Sequence, residues 1–170
     1  MKRMATILVV LLFSASYAVS QSSDENTFSR NGRFLVETGY NIVGGINASS
    51  GANVQINFDG GSVTALGADV GKFLSENLAL KFKLGILSGT GLSVTSVTGG
   101  MKYYAGGVVP IELTAGIIDT GLDNPKFNGN FKFGYAARLA DNITLEPSLG
   151  LTIIYDESAF VMGLSFAMFL

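Results

Sequence analysis

The sequence predicts an all-β fold, an eight-stranded antiparallel up-and-down transmembrane β-barrel, on three observations. Phe160, Met162, Leu164, Phe166, Met168 and Leu170 recur at every second position of the last run, with the small residues Ala159, Gly163, Ser165 and Ala167 between them, the pattern of a strand with one greasy face. About eight runs of this kind follow one another, separated by turn-forming clusters that are by turns long and tight. The composition, with 22 Gly, 3 Pro, 48% hydrophobic and 14% charged residues, requires a large apolar surface to be hidden, and lipid is one place to hide it.

The N-terminus reads as an export signal. Lys2 and Arg3 precede an apolar core from Ala5 to Phe13, and Ala18, Val19 and Ser20 supply small residues before Gln21, so residues 1–20 are expected to be a cleaved signal peptide. A spanning helix needs about 20 apolar residues, and this run dissolves into Ser14, Ala15 and Ser16. Residues 21–32 form a polar lead expected to be flexible, and 33–170 the barrel. With no cysteine, disulfides and thiolate metal sites are excluded. Without Lys2 and Arg3 the chain carries 9 basic against 13 acidic residues, a balance of −4, which argues against nucleic acid as a partner.

The strands are expected at roughly 33–44, 62–74, 77–87, 93–105, 108–118, 130–139, 143–155 and 159–170. Long or medium connections fall at 45–61, 88–92 and 119–129, tight ones at 75–77, 106–107 and 140–142; the last, 156–158, is shorter than the pattern asks. In the third run Leu78, Leu80, Phe82, Leu84 and Ile86 oppose Ala79, Lys81, Lys83 and Gly85. The sixth sets Phe131, Phe133, Tyr135, Ala137 and Leu139 against Lys132, Gly134, Ala136 and Arg138. The seventh sets Ile143, Leu145, Pro147, Leu149, Leu151, Ile153 and Tyr155 against Thr144, Glu146, Ser148, Gly150 and Thr152.

A membrane barrel turns the apolar face outward, whereas a soluble lipocalin-like barrel encloses it around a ligand. Alternation alone does not label the faces. Gly39, Gly67, Gly71, Gly85, Gly116, Gly134, Gly150 and Gly163 all fall on the polar side, as the crowded inside of a narrow tube requires, and this favours the membrane orientation.

The interior then holds Glu37, Asp69, Lys81, Lys83, Lys102, Glu112, Lys132, Arg138 and Glu146. Only Lys72 of the strand charges faces out, near a tight turn where its ammonium can snorkel. Because a cation facing lipid at mid-depth costs about 2–4 kcal/mol, Lys81 and Lys83 fix the register of their strand. A three-residue turn at 75–77 sets Asp69 opposite Lys81, a two-residue slip offering Lys83 instead; the turn at 106–108 sets Lys102 opposite Glu112; Arg138 falls opposite Thr144 or Glu146. Eight strands enclose only enough room for their own side chains, so this charge network is expected to fill the tube. Tyr40, Phe131, Tyr155 and Phe160 near the long loops, and Phe34 and Tyr103 near the tight turns, fit interfacial belts; Tyr135 sits deeper. Pro147 must remove one ladder hydrogen bond or mark a bulge, and Val94 breaks the alternation of its run.

The stretches Gly71-Lys-Phe-Leu-Ser-Glu-Asn-Leu-Ala-Leu80, Met101-Lys-Tyr-Tyr104 and Leu139-Ala-Asp-Asn-Ile-Thr-Leu-Glu-Pro-Ser-Leu-Gly150 resemble the small outer-membrane β-barrel domain family of diderm bacteria, the OmpA/OmpX-like eight-stranded barrels. The resemblance covers nearly all of the mature chain. It implies an outer-membrane location, tight turns on the periplasmic side, long loops outside, and a terminal strand (Phe160, Met162, Leu164, Phe166, Met168, Leu170) read by the barrel-assembly machinery. That signal usually ends in Phe; here it ends in Leu170, with Phe169 out of phase.

No histidine is present, so no serine has an evident general base and an enzyme is not expected. No cofactor or metal is expected either: Asp119, Asp123 and Asn124 lack the spacing of a calcium loop. The reading is a non-enzymatic outer-membrane protein, with lipid and the assembly machinery as partners and an unnamed partner for its surface loops. A narrow porin-like channel for ions or small solutes and a soluble periplasmic barrel binding an apolar ligand are the alternatives.

Overall fold

Period-two alternation makes strands, and strands whose two faces demand opposite surroundings close on themselves to remove their edges. The computed structural model describes residues 29–43, 46–50, 54–58, 61–89, 92–121, 124–154 and 157–170; the expected signal peptide, most of the polar lead and the tips of the loops lie outside them. The strands are β1 (Phe34–Val43), β2 (Ile46–Ser50), β3 (Val54–Phe58), β4 (Gly61–Phe73), β5 (Leu78–Gly89), β6 (Leu92–Ala105), β7 (Val109–Asp119), β8 (Lys126–Gly134), β9 (Ala137–Ala140), β10 (Ile143–Ile154) and β11 (Glu157–Phe169). All pairings are antiparallel, in the order β2-β1-β11-β10-β8-β7-β6-β5-β4-β3, with β9 on β10 and β1 also on β4. These strands make a closed eight-stranded antiparallel barrel, its sixth stave divided into β8 and β9.

The first and last staves meet at the tight-turn end, where Phe34 and Leu170 exchange two backbone hydrogen bonds of 2.8 Å. On the other side β1 joins β4 only from Phe34↔Lys72 to Glu37↔Asp69. Above that, β2 pairs with β1 and β3 with β4, so the segment expected as a long loop at 45–61 carries two short strands.

Pro147 accounts for the divided stave. Its carbonyl accepts from Tyr135 N at 3.1 Å, and in a strand the N–H position of the same residue points the same way. The missing donor therefore faces Tyr135 and Ala136, where the ladder stops, and Ala136 N donates instead to Val108 O at 2.7 Å. The stave also begins earlier than expected, at Lys126, because the 119–129 loop is shorter. Val94, out of phase in its run, pairs with Leu87.

Two turns show their chemistry. Gly106 and Gly107 both have positive φ, 57° and 78°, as a tight hairpin requires, and Val108 N donates to Ala105 O at 3.3 Å. Leu74 N and Ser75 N both donate to Leu78 O, at 2.8 and 3.3 Å, so Leu74 stands across from Leu78 with residues 75–77 between them. Carried along the β4–β5 ladder, this register sets Asp69 opposite Lys83 and Gly71 opposite Lys81, which is the two-residue alternative and not the direct Asp69–Lys81 pairing expected.

Inward glycines let neighbouring backbones close up. A Cβ on Gly116 would lie 1.9 Å from Val97 O, and one on Gly150 would lie 2.1 Å from Phe131 O.

Candidate functional site in the barrel lumen

Leu35, Phe73, Ala79, Tyr104, Ala136, Ala167 and Phe169 are buried together at the tight-turn end. The three rings form a closed set: Phe73 lies 5.8 Å from Tyr104 and 5.6 Å from Phe169, which is 6.2 Å from Tyr104. Phe169, out of phase with the outward residues of β11, is out of phase because it belongs to this plug.

The charges lie next to the plug. Lys81 Nζ contacts Glu37 Oε2, Glu112 Oε2 at 2.7 Å and Asp69 Oδ2 at 3.1 Å. Lys83 reaches Glu112 Oε1 at 2.5 Å and Asp69 Oδ2 at 3.3 Å, and Lys132 shares Glu112 Oε1 at 3.4 Å. Lys102 bridges Glu37 and Glu146, while the other Glu146 oxygen accepts from the Tyr104 hydroxyl at 2.9 Å and from Thr144 Oγ1 at 2.7 Å. Four lysines (81, 83, 102, 132) meet four carboxylates (37, 69, 112, 146), so the cluster is neutral with every member paired. In a low-dielectric tube such pairing is what makes the desolvation of eight ions bearable.

Arg138 is the exception among the residues expected inside. It pairs in register with Thr144, yet its side chain is 42% exposed and holds Asp141 at 2.7 Å. It stands at the rim, on the short β9, where water solvates it better than the lumen would. Two expected partnerships also change. Lys102 is opposite Glu112 in register, but its ammonium goes to Glu37 and Glu146; Asp69 faces Lys83, and Lys81 reaches it diagonally. Tyr104 and Thr144 are members that the reading of charges alone passed over. Their signal was present: both fall on the inward phase of their strands.

The outer face is the reverse of the lumen. Leu80, Phe82, Leu84, Ile86, Leu113, Ile117, Leu151 and Ile153 are all exposed, as are Phe160, Met162, Leu164, Phe166, Met168 and Leu170. Phe34, Tyr103, Phe131 and Phe160 point outward as expected of a belt; the side chains of Tyr40 and Tyr155 lie outside the described residues. Lys72 is exposed with its ammonium 5.5 Å from the Phe34 ring centroid. Apolar outside and ionic inside is the arrangement of a transmembrane barrel, and among the described residues these large apolar side chains face outward and not into the lumen as in a lipocalin-like barrel.

No family model matches the sequence, and no curated protein matches it. Among solved structures, the N-terminal β-barrel domain of Pseudomonas aeruginosa OprF is similar with a TM-score of 0.51 at 14% identity, over 82% of this chain and 98% of that one. A de novo designed transmembrane β-barrel aligns at a TM-score of 0.48 and 15% identity, over 82% of this chain and 97% of that one. The Yersinia pestis outer membrane protein Ail aligns at 0.45 and 11% identity, over 82% and 100%. The fold is that of a small outer-membrane β-barrel.

In this barrel the polar lead is not wholly free of the body. Arg30 lies over the Tyr104 and Phe169 rings, its guanidinium carbon 4.4 and 5.0 Å from their centroids, and donates to Gly107 O at 2.9 Å. Burial against the rings lowers the affinity of this guanidinium for its proton. Glu76, in the β4–β5 turn, accepts from Ser29 Oγ at 2.7 Å and from Arg30 N at 3.0 Å. The Ser29 hydroxyl, followed by the Arg30 amide, holds the Glu76 carboxyl below its ordinary value of 4.5. Residues 29 and 30 thus cap the tight-turn mouth directly beneath the aromatic plug. In the 119–129 loop, Asp119 Oδ1 accepts from Gly121 N at 2.8 Å, the local bond of an Asx turn.

Proposed function

We propose that this chain is a non-enzymatic integral outer-membrane protein, exported by a cleaved signal peptide and inserted by the barrel-assembly machinery through its C-terminal strand. It contributes to envelope structure or presents the segments 45–61 and 119–130 to other molecules. The observation that carries the reading is the lumen itself. A neutral four-by-four ion cluster and a three-ring plug stand in series across the tube, capped by Arg30, which supports a sealed pillar and argues against a conduit.

Two measurements test it. On a gel, the folded barrel should migrate differently before and after boiling in detergent. In planar bilayers it should give no sustained conductance steps; steps would favour the narrow channel instead, with Lys83 and Lys132 lining water. Release from cells without detergent would count against membrane integration altogether.

A further inference from the structure

The ion cluster is neutral as a whole but not at its accessible surface. The side chains of Glu37, Asp69, Glu112 and Glu146 are exposed by only 3, 3, 6 and 2%, and those of Lys81 and Lys102 by 1 and 4%. Only Lys83 and Lys132 are reachable, at 16 and 15%. Solvent in the lumen therefore meets two ammonium groups and almost none of the carboxylates that balance them. Both converge on the same oxygen, Glu112 Oε1, so they lie close enough together to share one ligand.

Access comes from the long-loop side. The aromatic plug and Arg30 close the other end, and Lys83 stands one inward position nearer the long loops than Lys81. Level with these two lysines and beyond them in that direction the inward positions become small or neutral: Thr98 and Gly150 pair with Lys83 and Lys132, and Gly85, Thr114, Gly116 and Asn130 follow. These residues have too little side chain to fill the tube as the lysines and rings do. Thr114 is adjacent to Glu112 on the inward face of β7 and pairs in register with Asn130. It is 1% exposed, and its hydroxyl has no protein partner. A buried hydroxyl is ordinarily bonded, so this one is an unused donor on the residue diagonal to Lys132 across the β7–β8 pair. The other unpartnered oxygen of the cluster, Asp69 Oδ1, belongs to a sealed carboxylate.

We propose that the upper lumen is a blind vestibule that binds one small inorganic anion, of the size of chloride or phosphate, on the ammonium groups of Lys83 and Lys132 with the Thr114 hydroxyl as a further donor. The site rests on the closed-barrel reading, and mobility on a gel before and after boiling tests that reading separately in the same preparation.

The experiment is a titration of the full mature chain, folded in discs of uncharged lipid with lysine side-chain nitrogens labelled, against sodium chloride and then sodium phosphate at constant ionic strength. Saturable shifts of the Lys83 and Lys132 signals, larger than those of Lys81 and Lys102, are expected. Removing one charge-assisted hydrogen bond in K132M should weaken binding about tenfold, and T114V should weaken it by a smaller factor. Unsaturable drift alike at all four lysines overturns the site. So does unchanged affinity in K132M, or in T114V should K132M not fold.

Discussion

Tyr104 donates its hydroxyl to Glu146 Oε1 at 2.9 Å while its ring packs on Phe73 and Phe169, so one side chain joins the aromatic plug to the ion cluster. Glu146 is nearly sealed and also holds Lys102 and Thr144. Removing its charge leaves Lys102 with Glu37 alone and the buried cluster with one positive charge in excess. Glu146→Ala is expected to destabilise the barrel by about 3–5 kcal/mol, the cost of breaking a buried pair. Tyr104→Phe, which leaves Glu146 two partners, should cost only about 1 kcal/mol. Urea titration read by the folded and unfolded bands on unheated gels measures both; equal losses would show that the Tyr104 hydroxyl carries as much as the whole Glu146 carboxylate, against the expected ranking.

The outward face predicts a depth-dependent penalty. Leu113, exposed midway along β7, and Leu74, exposed in the β4–β5 turn, differ in distance from the end of the barrel. Leu113→Arg should cost about 2–4 kcal/mol and Leu74→Arg about 0–1 kcal/mol. Reversible folding into vesicles provides the comparison, and a soluble barrel would show no such difference.

Gly150 offers no room for a methyl group, since a Cβ would stand 2.1 Å from Phe131 O and 2.8 Å from Lys132 Cα. Both are backbone atoms, which cannot swing aside. Gly150→Ala is expected to lower stability by about 1–3 kcal/mol, by the same urea assay. Gly106→Ala acts differently: it meets no neighbour but must adopt a φ of 57°, so its loss should be about 1 kcal/mol.

The cap at the tight-turn mouth should respond to acid. The Glu76 carboxyl is held below its ordinary value of 4.5, so its bonds to Ser29 and Arg30 favour the ionised form. The stabilisation of the cap is then complete above that ordinary value and disappears as pH falls through the depressed one. Amide hydrogen exchange at Arg30, corrected for intrinsic rates, should be slow and constant above the ordinary carboxyl value of 4.5 and rise only at more acid pH. In Glu76→Gln the pH response should vanish.

Strand existence, the two faces and the identity of the interior charges were legible in the sequence, because a period of two is a local property and a lysine on the wrong face of a membrane barrel is too costly to tolerate. That is why Lys81, Lys83, Lys102 and Lys132 could be assigned inward once the glycines on their side had labelled the faces, and why the alternate residues from Phe160 to Leu170 could be assigned outward. What alternation cannot carry is turn width and distance across the tube. The pairing of Leu74 with Leu78 across the turn set Asp69 opposite Lys83 and not Lys81; Pro147, visible as an anomaly, became a divided stave only against Tyr135 and Ala136. Arg138 shares the inward phase yet stands in water, since phase says nothing about how far along the axis a residue lies. Closing the sheet brought Lys102 from β6 to Glu37 on β1 and Glu146 on β10, and laid Arg30 over Tyr104 and Phe169. Those partners are remote in the chain and on strands that do not pair directly, so only the curvature of the closed barrel could bring them together.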